Sequence, residues 1–227
     1  MKNVKEHFEE EATEFDKTIL KLIPHYPEMI NSMISTIPHT DSDRFNVLDL
    51  GCGTGNVSLA VKQKFKNASI SCNDIAENMI EMAKIKLENY SDIKYYTGDF
   101  SKFEFDGKYD VIVSSLALHH IKTDEEKKKL YSMIYDLLNS GGIFINSDCV
   151  LGSNEELTDL YNKKWIEFML ESVTEREVQE KWVPQSKAED FPTSMINHLT
   201  WLEEIGFKGQ DIIWKYYGWA VYCGSRH

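Results

Sequence analysis

Between Val47 and Asn56 the chain reads VLDLGCGTGN, and three glycines within five residues leave few folds open to it. Val47, Leu48 and Leu50 make a short apolar run bounded by turn residues, the pattern of a buried parallel strand. Gly51, Gly53 and Gly55 then let the backbone turn tightly and approach a ligand that a Cβ would hold off. From Val57 the apolar positions Ala60, Val61 and Phe65 recur at helical spacing. The glycines therefore mark a strand end and a helix start, the place where α/β proteins bind ligands.

Dinucleotides bind at turns of this kind through G-x-G-x-x-G, which would require a third glycine where this chain has Asn56. A turn that merely packs a helix on a sheet is the other reading. The pattern present, Asp49-x-Gly51-x-Gly53-x-Gly55, resembles motif I of the class I S-adenosylmethionine (SAM) methyltransferases.

Bulk properties narrow the partners. At 227 residues the chain suits one sizeable core. Its apolar runs are too short for a membrane span and MKNVKEHFEEE lacks a signal-peptide core, so a cytoplasmic location is expected. Cys52, Cys72, Cys149 and Cys223 are scattered, which suggests neither a disulfide framework nor a metal site. A formal charge of −12 with only Arg44, Arg176 and Arg226 as arginines disfavours nucleic acid and favours a small-molecule substrate.

Taken in order, Phe8, Ala12, Phe15 and Ile19 predict a helix, Pro24 and Pro27 an interruption around His25 and Tyr26, and Met29 to Ile37 a second helix. Residues 1–40 are thus expected to form a helical lid, with ordinary cover for exposed core as the competing role. Ser69 to Cys72 reads as a strand ending near Asp74, and Ala76 to Glu88 as a helix with Met79 and Ile80 on its apolar face. Asp74, 25 positions after Asp49, is placed to accept ribose hydroxyls or to cap the helix. Lys94 to Tyr96 gives a strand closed by Thr97-Gly98-Asp99-Phe100, and Val111 to Val113 another, followed by SSLALHHI from Ser114 to Ile121. Thr123-x-x-Glu126 predicts a capping box, Asn139 to Gly142 a left-handed helix end, and Ile143 to Asn146 the fifth strand. Ser153-x-x-Glu156 and Thr174-x-x-Glu177 predict caps for helices of an insertion over about 153–190, whose aromatic residues also offer a surface for a homodimer. Thr193 to Ile205 reads as the last helix, stopped by Gly206, before a terminal hairpin. This alternation implies an α/β fold with a mostly parallel sheet covered by helices on both faces.

The resemblance to class I methyltransferases runs from Val47 to the terminal hairpin and implies a Rossmann-like, seven-stranded sheet of order 3-2-1-4-5-7-6. It implies a SAM-binding domain over 41–227, S-adenosylhomocysteine (SAH) as product, and transfer of a methyl group to a small molecule. It further implies a cofactor pocket built from Tyr26, Asp49, Gly51, Cys52, Gly53, Gly55, Asp74, Ile75, Met79, Asp99, Phe100, Ser115 and Leu116. Within the family, Phe8-x-x-x-Ala12-x-x-Phe15-Asp16 and Ile23-Pro24-His25-Tyr26 resemble a subgroup that includes carboxy-SAM synthases, in which the tyrosine matching Tyr26 meets the methionyl end of the cofactor. Those synthases hold the extra carboxylate with an arginine, whereas Glu177 to Trp201 offers only Lys181 and Lys187. Methyl transfer is therefore ranked first, with a synthase-like enzyme and a non-catalytic SAM-binding subunit as alternatives. His119 and His120 are the candidate bases, suited in kind to proton transfer near neutrality, and Trp165 and Tyr216 are candidates for the substrate pocket.

Overall fold

The structure is a computed structural model that describes residues 14–227 together with Lys5; the expectations for Phe8 and Ala12 lie outside the described residues. Two helices, α1 (Phe15–Leu22) and α2 (Tyr26–Thr36), precede β1 (Asn46–Leu50). They are joined through His25, which adopts the left-handed conformation, φ 53°, and Pro27 sits in the first turn of α2, where its missing N–H costs nothing. The chain continues as α3 (Asn56–Lys64), β2 (Ser69–Asp74), α4 (Glu77–Lys86), β3 (Ile93–Thr97) and β4 (Tyr109–Ser115). A short 3₁₀ turn, Leu118–His120, leads to α5 (Asp124–Leu137) and β5 (Leu138–Cys149). After α6 (Glu155–Met169) come the brief α7 (Glu175–Glu177), a π-helical turn (Val178–Trp182) and α8 (Val183–Glu189). Helix α9 (Met195–Ile205) and the hairpin β6 (Lys208–Tyr216) and β7 (Trp219–Ser225) complete the fold.

The sheet has the order 3-2-1-4-5-7-6, with β7 antiparallel to both its neighbours and the remaining pairs parallel. Alternation along each strand assigns its side chains to opposite faces. Val47, Val111, Val113, Ile145 and Val221 pack on one face against Met29, Ile30, Met33 and Ile34 of α2. Leu48, Leu50, Ile112, Phe144 and Tyr222 pack on the other against Leu130, Tyr131 and Ile134 of α5 and Leu202 of α9. Both faces are buried, which is why the central strands read as continuous apolar runs.

Local expectations mostly match, with two corrections. Thr123 and Thr174 form full capping boxes with Glu126 and Glu177, and Gly206 ends α9 at φ 116°. The cap of α6 is Asn154, whose side chain accepts from the Leu157 N–H, and not Ser153. Helix α5 does not end at Gly141: it stops at Leu137 and the chain turns directly into β5. The Gly141 N–H donates to the Arg226 carbonyl and the Arg226 N–H to the Gly142 carbonyl, so strand pairing takes the backbone groups that a helix cap would have used.

The order of strands reverses between β1 and β4, since β2 and β3 lie to one side of β1 and the later strands to the other. A crevice opens at the carboxyl ends of strands where the order reverses. The glycine turn follows β1 and the segment Leu116 to His120 follows β4, so both converge on it.

Candidate functional site

A cleft of about 700 Å³ occupies that crevice. Gly51, Cys52 and Gly53 form one wall, Asp74, Ile75, Met79 and Phe100 a second, and Ser115, Leu116, Ala117 and His120 a third. Phe15, Ile19 and Tyr26, from α1 and α2, close it from above. Thus ten of the thirteen residues expected around a cofactor line one cleft, along with His120. Asn56, Val57 and Ala117 join them, none of which was expected as a cofactor contact.

The glycine turn is held open by backbone geometry. Gly51 has φ +69° and Gly53 φ +53°, and a Cβ on Gly51 would come within 2.4 Å of the Ala117 Cβ. A Cβ on Gly53 would meet only Phe15, at 3.9 Å, so there the glycine leaves room at the cleft. The Asp74 carboxylate accepts from the Gly53 N–H at 2.9 Å through Oδ2 and from the Ala76 N–H at 2.9 Å through Oδ1. One residue therefore supports the glycine turn and braces Ala76, the N-cap of α4, while standing at the cleft wall. Leu116 is left-handed, φ 53°, an uncommon state for a branched side chain, and its N–H donates to the Ser147 carbonyl at 2.8 Å.

Four expected positions stand outside the cleft and the second cavity behind it. Asp49 is fully buried behind the turn, where it accepts from the Ser58 hydroxyl at 2.6 Å and so ties β1 to α3. Burial pushes its carboxyl up to about 7, aided by the charge of Asp74 and opposed by the Ser58 hydrogen bond. Gly55, at φ 85°, is the N-cap of α3 and packs beside Ala83 and Leu87. Asp99 turns to the N–H and hydroxyl of Ser101, at 3.0 and 2.6 Å, on an outer groove that it shares with His120 and Lys122. Tyr216 packs edge-on against His25, 4.5 Å between centroids, and against Tyr217. Strand β6 carries it to the rim of the sheet, away from both cavities.

The second cavity adjoins the first through Phe15, Ile19, Leu116 and His120, which line both. Its other walls are Trp165 of α6, Trp182 and Ser186 of the insertion, Trp219 of β7, and the polar group His119, Glu189 and Asp190. His119 is held between two carboxylates. Its Nδ1–H donates to Asp148 Oδ1, its backbone N–H donates to Asp148 Oδ2 at 3.1 Å, and its Nε2 lies 3.4 Å from Asp190 Oδ1. Burial disfavours the charged ring, but Cys149, Asp148 and Asp190 together outweigh it and raise its pKa well above the usual value. Asp148 and Asp190 are lowered: His119 overcomes their own burial. His119 is thus an imidazolium at neutral pH and stores a proton; it has no lone pair with which to accept one.

His120 behaves oppositely. Burial and the neighbouring His119 charge push it down to about 4, so the ring is neutral. Its Nδ1 lies 3.1 Å from the Glu189 carbonyl, which can only accept, so Nδ1 carries the hydrogen and Nε2 is the basic nitrogen. Of the two candidate bases, only His120 is in the protonation state that a base requires, and it stands where the two cavities meet.

A polar cluster fastens α1 across the glycine turn. Lys86 Nζ donates to Asp16 Oδ2 at 2.6 Å, to Thr54 Oγ1 at 2.8 Å and to Asn56 Oδ1. Asp16 Oδ1 accepts from the Thr54 hydroxyl at 2.6 Å and from Asn56 Nδ2 at 3.0 Å. On the far side the Trp165 indole N–H donates to the Leu22 carbonyl at 2.7 Å. The segment is held both to the cleft and to the insertion. Nothing local in the sequence links Asp16 to Lys86, which is why this cluster escaped the linear reading.

Residues 47–142 match the methyltransferase-domain family. The chain is 26% identical over 226 residues to the carboxy-S-adenosyl-L-methionine synthase of Nautilia profundicola, covering 96% of this chain and 93% of that protein. It is 30% identical over 147 residues to the malonyl-[acyl-carrier protein] O-methyltransferase 2 of Ilyobacter polytropus, 64% of this chain and 53% of that one. Among solved structures the DhpI–SAH complex superposes with a TM-score of 0.67 at 13% identity, covering 97% of this chain and 94% of that one.

Proposed function

We propose that the chain is a class I SAM-dependent methyltransferase, in which the cleft above β1 and β4 holds SAM while the second cavity holds a small-molecule methyl acceptor. The observation that carries the division is the shared wall of Phe15, Ile19, Leu116 and His120, which lets two molecules meet across one opening. The residues present fit the cofactor. Gly51 and Gly53 leave the space beside the turn that a Cβ would fill, Asp74 offers a carboxylate to a ribose, and Ile75, Met79 and Phe100 give an apolar seat for a flat base.

When bound, SAM supplies an electrophilic methyl group on a sulfonium. The protein's own residues position and exclude water, since an in-line displacement depends above all on alignment. Helices α1 and α2 cover the cleft, fastened by Asp16 and Lys86. Tyr26, whose phenol burial pushes up to about 12 and which receives Asn56 Nδ2 at 3.4 Å, contributes a neutral hydroxyl. His120 Nε2 takes the proton of an acceptor that must lose one, and His119 holds the Asp148 and Asp190 carboxylates in place.

Full-length similarity to a carboxy-SAM synthase favours a second reading, in which the cavity handles a carboxylated substrate. Its lining argues against this, because Glu189 and Asp190 are present and no lysine or arginine is among the described residues. Calorimetric titration with SAH and with carboxy-SAM decides between them. Binding of SAH alone supports methyl transfer; preference for carboxy-SAM would reverse the ranking.

A further inference from the structure

The charge and walls of the second cavity restrict what it can accept. Among the described residues its lining includes Glu189, Asp190 and the His119 imidazolium, which sum to −1, and no lysine or arginine. Behind them Asp148 pairs with the same His119 ring, and its charge also acts on Lys127, which donates to the Phe191 carbonyl and the Thr193 hydroxyl. The polar side therefore keeps one negative charge that the protein does not neutralise within the lining. The same lining is rich in aromatic side chains: Phe15, Trp165, Trp182 and Trp219. Trp165 and Trp219 meet edge-on, 6.5 Å between centroids, and the indole N–H of Trp165 is fixed by Leu22. Trp182 already carries a cation, the Lys181 ammonium 4.0 Å from its ring centroid, although Lys181 is not part of the lining. Aromatic rings and carboxylates lining one cavity attract organic cations on both counts, by the ring quadrupole and by charge. A carboxylate ligand would meet repulsion from Glu189 and Asp190 and would find no lysine or arginine among the described lining residues to pair with it.

We propose that the second cavity recognises acceptor molecules carrying an organic ammonium group, held between the tryptophans and Asp190, and that it rejects carboxylates. The inference rests on the reading of the first cleft as the SAM site and adds the class of acceptor to it.

The test uses the full chain saturated with SAH and titrates it, by calorimetry and by tryptophan fluorescence, with benzyltrimethylammonium, benzyl alcohol and phenylacetate. Saturable binding of the ammonium, at least about ten-fold tighter than either comparator, is expected. Asp190→Asn should weaken it by a similar factor. Because that variant also disturbs His119, Glu189→Gln and Trp182→Leu are measured beside it, each expected to weaken the ammonium several-fold with SAH affinity unchanged. Equal or tighter binding of phenylacetate, or ammonium affinity indifferent to all three substitutions, would overturn the proposal while leaving the SAM site intact. Failure of SAH itself to bind would remove the premise, and the inference with it.

Discussion

His119 lies between two carboxylates, whereas His120 shares one of them and the Glu189 carbonyl and feels the His119 charge, so the two adjacent imidazoles are driven in opposite directions. His119, raised by its acidic neighbours, remains protonated through neutral pH and loses its ion-pair stabilisation only as pH rises through that elevated value. Its ring nitrogens should therefore give imidazolium shifts by NMR at pH 7, and a neutral ring there would refute the assignment. Because His119 lines the second cavity and not the first, His119→Gln is expected to lower turnover roughly 100-fold with SAH affinity nearly unchanged. A large loss of SAH affinity would move His119 into the cofactor's surroundings. Gly51 poses a steric question in place of an electrostatic one. Gly51→Ala must place a Cβ 2.4 Å from that of Ala117 at φ +69°, so the turn and the Ala117 segment must separate. SAH affinity should fall at least about ten-fold and the Tm should drop with it, since the strain costs on the order of 1–3 kcal/mol; an unaltered calorimetric titration would show that the turn yields at no cost.

At the level of elements, α1 is secured over the cleft by contacts of two kinds. Phe15 and Ile19 supply apolar cover, while Asp16 joins Lys86, Thr54 and Asn56. The Asp16 carboxyl is kept below the usual range because hydrogen bonds from Lys86 and Thr54 and the Lys86 charge outweigh its desolvation. The Lys86 side chain is 17% exposed and that of Asp16 45%, so the pair is screened in part and deserves less than a buried pair's energy. Lys86→Met should release α1 at roughly 1 kcal/mol, weakening SAH about five-fold, and should expose the α1–α2 junction to protease. Lys84→Met, which removes only the exposed pair with Glu81, is the control and should change neither. If both variants titrate alike, the cluster does not hold the cover shut.

For the molecule as a whole, the central strands were legible because each is an apolar run closed by turn residues, their order followed from the family resemblance, and the cleft was legible because glycines and Asp74 sit at strand ends. What could not be read was pairing between distant residues. Asp148 lies 29 positions from His119 and Asp16 lies 70 from Lys86, so neither the imidazolium nor the fastening of α1 leaves a periodic trace. The end of α5 was misread for a related reason: Gly141 and Gly142 suit a helix cap, but their partner is Arg226 at the other end of the domain. Distant pairing also buries His198 in the core between α5, α9 and β7, where its Nδ1 meets the Tyr131 hydroxyl at 2.7 Å and its ring stacks on Tyr222. Burial pushes this imidazole down to about 4, against a partial pull upward from Asp148. A depressed histidine keeps its stabilising effect above the unfolded value near 6.5 and loses it as pH falls toward 4, since only the unfolded chain then takes up the proton. Between pH 6.5 and 4.5 this amounts to roughly 2–3 kcal/mol from one group. Exposed carboxylates titrate over the lower part of the same range, so wild type alone cannot isolate the term. His198→Gln keeps a polar partner for the Tyr131 hydroxyl and removes the titration, and its loss of stability on acidification, followed by urea unfolding, should be smaller than wild type by about that amount. Parallel pH curves for the two proteins would mean that His198 takes up its proton within the folded core.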